Sequence, residues 1–391
     1  MNNILSSFSN INLIVKNLFS LITTRSLLLF FLLTGCQAES IPETSSNPDN
    51  GGVTESQLIL SNAILEQANP AGQTLWRVKS VETKYSPDRQ FAYLDGVTGN
   101  YWQNQELAIY LTAEKGQVID DGEIIILTDN VVITDVRNQT VITGDELTWY
   151  TQNNLLILRG NLAGKHTQFN FTALMGKYYT DTQELELSGD VVGYSQESPL
   201  KFNSNQLLWQ IESENILVNS PVEIVRYDEQ AIITEKITSD KLEIDLESHQ
   251  AKFSNNVEFI SFQPAVQIAS NSLIWYYQER RIIADEPVKI VHHEEELTLT
   301  ANQGELDLVT EIAHLSNGVQ GKTPRNQANL YSRELTWSIN TQIVEARGNV
   351  VYEQIEPDLH LRGDKAIGTL QDNNIVVTGS EENQIVTDIK W

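Results

Sequence analysis

The stretch IASNSLIWYYQERRIIADEPVKI, residues 268–290, carries the pattern that decides the fold. Leu273 and Trp275 are two residues apart, as are Ile282 and Ala284, and a polar segment separates the two pairs. Apolar spacing of two on either side of a polar break predicts two antiparallel β-strands joined by a turn. Because a lone hairpin cannot bury its apolar face, we expect the rest of the chain to supply that burial.

The pattern repeats along the chain with a nearly constant period. Residues equivalent to Trp275 recur at intervals of 31, 29, 31, 35, 31, 31, 31 and 31, and they are Val118, Trp149, Tyr178, Trp209, Ile244, Trp275, Leu306, Trp337 and Gly368. A fixed period in this range indicates stacked copies of one supersecondary unit. The sequence therefore predicts an all-β fold. We expect an elongated repeat β-jellyroll, or open β-sandwich, of antiparallel strands in about ten two-strand units of ~31 residues.

Three further columns of the repeat describe each unit. Seven residues before the anchor all nine units are apolar, and five residues before it all nine are Ala, Ser or Gly, as at Ser270. Eleven residues after the anchor, residues such as Gly160 and Asn255 favour a turn or bulge. We expect a bulge that bends each strand there, and a close approach of other groups at the small residue.

Tryptophan anchors fall in every other unit from the second onward, each with a leucine two residues earlier. This alternation predicts inequivalent neighbouring units, as in a zigzag sandwich. The facing apolar columns could enclose either an open groove or a core filled by side chains, and the sequence does not decide between the two. The predicted lining residues of a lipid groove are Leu147, Trp149, Leu207, Trp209, Leu273, Trp275, Leu335, Trp337, Phe171, Phe202, Ile268 and Leu330.

The N-terminus has the composition of an export signal. Residues 1–35 contain two basic residues, no acid and a short apolar run that ends in Leu33-Thr34-Gly35-Cys36. This ending resembles a bacterial lipobox, and Cys36, the only cysteine, is the predicted lipidation site. The alternative is an uncleaved apolar anchor over about residues 11–33. We expect a lipoprotein signal peptide over 1–35, a flexible tether over 36–56 and one β-jellyroll domain over 57–391.

Charge and motifs exclude several classes of function. The net charge is −26, and −28 without residues 1–35, which argues against nucleic-acid binding. The six histidines are scattered, and no nucleophile, phosphate-loop or metal motif is present. His292-His293-Glu294-Glu295-Glu296 falls in a connector and is interpreted as a solvated loop. The sequence predicts no enzyme, no catalytic residue, no metal site and no cofactor.

The repeat resembles a known family. Segments such as Arg347-Gly348-Asn349-Val350-Val351-Tyr352, preceded by Ser332, Leu335 and Trp337, look like the OstA/LptA/LptC repeats of lipopolysaccharide export. The N-terminal segment and the degenerate opening Leu75-Trp76-Arg77-Val78 resemble the LptC member, although this chain is longer and carries a lipobox. The likeness covers residues 57 to 391.

That resemblance implies a function and partners. It implies a periplasmic protein held at the inner membrane that takes lipopolysaccharide from an LptB/F/G-type ABC transporter. It also implies delivery to an LptA/OstA-type periplasmic protein at the C-terminal edge. The predicted edge-docking residues are Ile375, Val377, Ile385 and Ile389.

Other functions fit parts of the pattern. One is a soluble-type relay like LptA or the periplasmic part of LptD, which would share the fold and differ in anchoring. Another is a surface β-repeat lipoprotein that is purely structural or binds polysaccharide. A polysaccharide binder would carry aromatic residues on an outer face, whereas the aromatics here fall in the inward columns.

Overall fold

Residues 58–324, 327–355, 358–370, 374–379 and 386–388 are described by a computed structural model, all within the unit Glu55–Trp391. Two short 3-10 turns, Asp120–Gly122 and Thr151–Asn153, accompany 26 β-strands. The strands are β1 Ile59–Ala68, β2 Thr74–Tyr85, β3 Phe91–Gln103, β4 Glu106–Ile119, β5 Ile124–Asp135, β6 Thr140–Tyr150, β7 Leu155–Lys165, β8 Phe169–Tyr179, β9 Glu184–Ser195, β10 Leu200–Gln210, β11 Asn215–Val218, β12 Val222–Tyr227, β13 Ile233–Ser239, β14 Lys241–Asp245, β15 Gln250–Phe262, β16 Ala265–Tyr276, β17 Arg281–Ala284, β18 Val288–His292, β19 Leu297–Ala301, β20 Gln303–Asp307, β21 Ile312–Thr323, β22 Ala328–Ser338, β23 Ile343–Gln354, β24 Leu359–Thr369, β25 Asn374–Thr378 and β26 Val386–Asp388.

The strands form one continuous antiparallel sheet in the described residues. β6, for example, pairs with β5 before it and β7 after it. The predicted elongated all-β jellyroll is confirmed. Each repeat unit places its anchor near the end of one strand, followed by a turn and a returning strand, as the period predicted.

A crease runs across the sheet where the strands bend. In β15 the register shifts between Ser254 and Val257, and the two intervening residues, Asn255 and Asn256, both adopt left-handed backbone conformations. Asp, Asn and Gly tolerate this conformation, which explains the predicted bulge column. The equivalent left-handed pairs are Asp129–Asn130, Gly160–Asn161, Gly189–Asp190, Asn317–Gly318 and Gly348–Asn349.

Two units break at the crease instead of bulging. Pro221 separates β11 from β12, and Pro287 separates β17 from β18. Proline has no N–H to give to a strand ladder, so the long strand becomes two short ones. The small-residue column also lies at the crease: a Cβ on Gly144 would lie 3.4 Å from the Gly160 carbonyl oxygen, and Ser270 Oγ donates to the Pro287 carbonyl at 3.0 Å.

The crease divides the sheet into two walls. The tryptophan wall holds the anchor positions, such as Trp275, which pairs with Ala251. The facing wall holds the residues seven positions earlier, such as Ile268, which pairs with Phe259. Side chains of the two walls meet between them, because the rings of Phe169 and Trp209 lie on opposite walls with centroids 4.5 Å apart.

The hairpin turns of each wall form a rim on the side away from the crease. Along the tryptophan-wall rim, each turn from Thr151 onward donates a backbone hydrogen bond to the preceding turn, as from Tyr277 N–H to the His249 carbonyl at 3.3 Å. Eight such bonds begin at Thr151, Thr180, Ile211, Leu246, Tyr277, Leu308, Ile339 and Leu370. On the facing-wall rim of the described residues, three such bonds lie outside the strand ladders, and they begin at Val136, Gln196 and Tyr227.

The expectation of a zigzag sandwich is wrong. The intervening anchors Tyr178 and Leu306 lie in the same wall as the tryptophans and are as deeply buried. Neighbouring units therefore face the same way. Only the size of the anchor side chain alternates, so that each indole has a smaller neighbour on the next unit.

Candidate functional site

The interior between the walls is the candidate lipid site. Eleven of the twelve predicted lining residues are buried in one apolar cluster, and these are Leu147, Trp149, Phe171, Phe202, Leu207, Trp209, Ile268, Leu273, Trp275, Leu335 and Trp337. Leu330 is partly buried and packs against the same cluster. The structure brings these side chains together, and whether they contact lipid stays a prediction.

Side chains fill most of this interior. A cavity of about 100 Å³ lies near the C-terminal end, lined by residues that include Leu299, Leu330 and Ile375. A second of about 80 Å³ lies between Phe202 on the facing wall and Trp275 on the tryptophan wall. Ligand pockets usually measure roughly 300–1,000 Å³. An acyl chain can therefore enter only if the walls move apart.

The line where the two rims meet, here called the seam, is closed by polar contacts. Asn138 Nδ2 on the facing-wall rim donates to Gln183 Oε1 on the tryptophan-wall rim at 2.9 Å. Gln168 Nε2 likewise donates to Glu214 Oε2 at 3.1 Å. Such partly exposed contacts contribute little each to stability. The seam is thus the weaker edge of the jellyroll, whereas the crease is covalently continuous.

Each repeat tryptophan has a polar group from the facing wall beside it at the seam. Tyr101 lies 6.0 Å from Trp149, His166 lies 4.8 Å from Trp209 and His292 lies 5.4 Å from Trp337, measured between ring centroids. The Arg226 guanidinium takes this place 5.5 Å from the centroid of Trp275. The rings stand nearly edge-on, which is a favourable aromatic geometry.

The two histidines are held neutral. His166 Nδ1 accepts a hydrogen bond from the Gln168 N–H at 3.3 Å, and His292 Nδ1 accepts one from the Glu295 N–H at 3.1 Å. Burial lowers the pKa of both rings, against the opposing attraction of nearby glutamates. A protonated ring could not accept either bond.

The repeat tryptophans also share an unusual polar feature. The indole N–H groups of Trp149, Trp209, Trp275 and Trp337 find no acceptor among the described residues. Buried donors are normally satisfied, so four at equivalent repeat positions call for an explanation. An oxygen of a molecule held between the walls would supply the acceptor.

Two buried carboxylates lie at the seam. Asp135 accepts a hydrogen bond from Tyr178 Oη at 2.5 Å and forms an ion pair with Arg137, which also donates to the Thr180 carbonyl at 3.0 Å. Burial, with the adjacent Asp135 charge, raises the pKa of Tyr178. The second carboxylate, Glu235, pairs with two arginines. Both groups tie the facing wall to the tryptophan wall.

Sequence reasoning missed these seam residues. A signal exists, because Asp135 lies two residues after Ile133 and Glu235 lies two before Ile237, on the inward face of each strand. A charged residue at an inward position indicates a buried ion pair. The partners on the tryptophan wall, Tyr178 for Asp135 and Arg280 for Glu235, lie more than 40 residues away. The repeat alone does not show which of these segments meet across the seam.

The edge-docking residues lie at the C-terminal end of the sheet. Ile375 and Val377 belong to β25, which pairs only with β24 among the described strands. Ile385, Ile389 and the predicted lipidation site Cys36 lie outside the described residues, as do the signal peptide and the tether. None of the described residues belongs to a helix with the length and apolar character of a membrane span.

The chain is similar to one family of lipopolysaccharide-assembly proteins. The family model described as "Lipopolysaccharide-assembly, LptC-related" matches residues 26–196 and 199–324, well over half of the chain. A solved structure, LptH of Pseudomonas aeruginosa, is described as the LptA homologous periplasmic component of the lipopolysaccharide transport device. It is 12% identical over 40% of this chain and 94% of its own, with a TM-score of 0.21, too low to carry an argument. No curated protein matches the sequence.

Proposed function

The chain belongs to the LptC family of lipopolysaccharide-assembly proteins, and from that premise we propose that its jellyroll carries lipopolysaccharide between two partners. It receives the lipid from an inner-membrane ABC transporter of the LptB/F/G type and passes it to an LptA-type periplasmic protein. The observation that carries the proposal is the continuous apolar interior, in which tryptophans from alternate units lie in register between two walls.

The hydrophobic effect explains why such a carrier is needed. Burying an acyl chain is worth about 0.8 kcal/mol per CH₂, so a chain of ~12 carbons gains on the order of 10 kcal/mol. Release of the chain into water would have to overcome a barrier of about the same size. Transfer from one apolar interior directly into the next avoids that barrier.

Lipid entry requires the seam to open. The two interior cavities found among the described residues measure about 100 and 80 Å³, and at the crease the chain itself runs from one wall into the other. At the seam the walls meet through side-chain contacts such as that between Gln168 and Glu214. Parting these contacts admits acyl chains with the smallest loss of backbone hydrogen bonds.

The partners dock at the two free edges of the sheet. At the N-terminal edge, β1 pairs only with β2 among the described strands, and Ile59 and Ile64 are exposed there. At the C-terminal edge, β25 offers a free backbone edge, with Ile375 and Val377 facing the interior and Val376 exposed. The predicted docking residues Ile385 and Ile389 follow it in the sequence. An unpaired strand edge is a template for another sheet. The transporter meets the first edge and the LptA-type protein the second, and an acylated Cys36 holds the protein at the inner membrane.

Site-specific photo-crosslinking tests the carrier function. Phe202 faces the interior beside the second cavity, whereas Tyr331 is exposed on the outer face. Benzoylphenylalanine keeps a phenyl ring at either position and adds a benzoyl group, which crosslinks to neighbouring C–H bonds. In cells, we expect lipopolysaccharide adducts from position 202 and none from position 331. Adducts from position 331 alone, or from neither, would contradict a lipid-lined interior.

A further inference from the structure

The seam contains one carboxylate held between two guanidinium groups. Glu235, on β13 of the facing wall, has none of its surface exposed (0%). Its Oε2 accepts from Arg226 Nε at 2.9 Å, and its Oε1 accepts from Arg280 Nε at 3.0 Å and from Arg280 Nη2 at 2.6 Å. Arg226 belongs to β12 of the same wall, whereas Arg280 comes from a turn of the tryptophan wall. The cluster therefore bridges the seam.

The cluster has one positive charge more than Glu235 requires. Arg226 alone would neutralise the carboxylate, and in the described residues no second carboxylate forms an ion pair with Arg226 or Arg280. Burying a guanidinium costs desolvation energy, and burial lowers the pKa of Arg226 against the attraction of Glu235. The arginine side chains are 12% and 34% exposed, with Arg280 the more accessible. A surplus cation is unexpected in a chain of net charge −26.

The cluster adjoins the second cavity. Arg226 Nη2 donates to the Tyr277 carbonyl, and its guanidinium lies over the Trp275 ring. Both aromatic residues line the cavity of about 80 Å³, together with Phe202, Ile224 and other apolar side chains. The Trp275 N–H is one of the four indole donors for which the described residues supply no acceptor. The surplus positive charge of the arginines, the unpaired Trp275 N–H and the apolar cavity therefore adjoin one another.

We propose that Arg226 and Arg280 form a binding site for the phosphate group of the carried lipid, whose acyl chains enter the adjoining cavity. This inference rests on the proposed carrier function and adds the site that recognises the head group. When the seam opens, the phosphate takes the place of Glu235 on Arg280, the more exposed arginine. Guanidinium groups bind phosphate oxygens through paired charge-assisted hydrogen bonds. An ester or amide carbonyl of the lipid accepts from Trp275.

Two substitutions separate recognition from simple closure of the seam. Glu235→Gln is nearly isosteric and frees both arginines for an anion. Arg280→Gln removes one arginine and leaves the pair between Arg226 and Glu235 intact. If the cluster only held the seam shut, each substitution would loosen it, and each would raise lipid uptake whether or not the lipid carried a phosphate. A phosphate site makes the two substitutions act in opposite directions.

The probes are dilauroyl phosphatidic acid and dilauroylglycerol, which share their acyl chains and differ in the phosphate. Retention of each radiolabelled lipid on the immobilised full chain is the measurement. We expect Arg280→Gln to lower the preference for phosphatidic acid about tenfold, as for loss of one charge-assisted contact, and Glu235→Gln to raise it. Arg281→Gln is the matched control, because Arg281 pairs with Glu279 and Glu305.

Each contrary result has a distinct meaning. Equal retention of both lipids, unchanged by Arg280→Gln, would overturn the phosphate site and leave the carrier function standing. Increased retention of both lipids by both variants would also overturn it, in favour of a simple latch. If the wild-type chain retained neither lipid, the carrier function itself would fail.

Discussion

The ring of His292 stands edge-on to the ring of Trp337 across the seam, with centroids 5.4 Å apart and planes at 82°. Burial lowers the pKa of His292 below the ordinary value of 6.5, against the attraction of Glu294 and Glu295. The unfolded chain therefore takes up the proton at a higher pH than the folded chain does. We expect the contribution of His292 to the free energy of unfolding to be fully present above pH 6.5. This contribution should decrease as the pH falls from 6.5 toward the folded-state pKa.

Urea unfolding at pH 7.5 and 5.5 measures this dependence. His292→Asn keeps an acceptor for the Glu295 N–H and removes the titrating ring, so we expect it to reduce the loss of stability at pH 5.5. His293→Asn is the matched control, since His293 is the exposed neighbour in the chain. An unchanged pH dependence in His292→Asn would show that this ring does not titrate on unfolding. His166 lies against Trp209 in the same way, and burial lowers its pKa too, so we expect it to contribute to the dependence that remains.

The left-handed backbone at Asn255 makes that position sensitive to side-chain shape. Its φ is +65°, a region where β-branched residues are strained. We expect Asn255→Val to lower the free energy of unfolding by about 1–3 kcal/mol. Asn255→Gly should change it by less than about 1 kcal/mol, because glycine adopts this conformation freely. Chemical denaturation compares the two, and equal losses would mean that the side chain rather than the backbone matters at the crease.

Locking the seam should prevent lipid loading. Cysteines in place of Gln168 and Glu214, whose side chains are 3.1 Å apart, can be joined by a short bismaleimide, because an acylated Cys36 offers no free thiol. The matched control joins positions 184 and 210, also linked at 3.1 Å but on neighbouring strands of the tryptophan wall. We expect the cross-wall lock alone to abolish lipopolysaccharide adducts from benzoylphenylalanine at position 202. Undiminished adducts in the locked protein would place the entry route elsewhere, such as the ends of the sheet.

The lipobox predicts a lipid-anchored protein. We expect mature protein from cells to begin at Cys36 with an acylated mass, and Cys36→Ala to lose both the acyl mass and membrane retention. Mass spectrometry and fractionation of inner and outer membranes provide the measurement. A Cys36→Ala protein that still fractionates with the membrane would favour the alternative apolar anchor. A mature wild-type chain without lipid would favour a soluble relay.

The sequence contained most of the fold but not the seam. Strand alternation and the bulge column identify the walls and the crease, because both depend on residues within one unit, such as Ser270 and Trp275. The contacts of Trp275 with Arg226, and of Glu235 with Arg280, depend on which turns meet across the seam. A period of 31 residues does not determine this.

The sequence alone also did not predict how completely side chains fill the interior. The columns show that Leu273 and Phe202 share an apolar face, but the distance between the walls decides whether a groove or a core results. That distance depends on how side chains of the two walls pack against each other, as Phe169 does against Trp209. The expectation of a zigzag sandwich was wrong for a related reason. An alternation in the size of the anchor residue and an alternation in the direction that units face give the same sequence pattern.

The two rims differ in how they are held, and this sets how the protein moves. Outside the strand ladders, eight backbone hydrogen bonds link successive turns of the tryptophan-wall rim, against three on the facing-wall rim in the described residues. We therefore expect the tryptophan-wall rim to move as one unit and single turns of the facing-wall rim to open more easily. We expect cargo to advance by successive local openings, each one or two units long, with the remaining units shut around it.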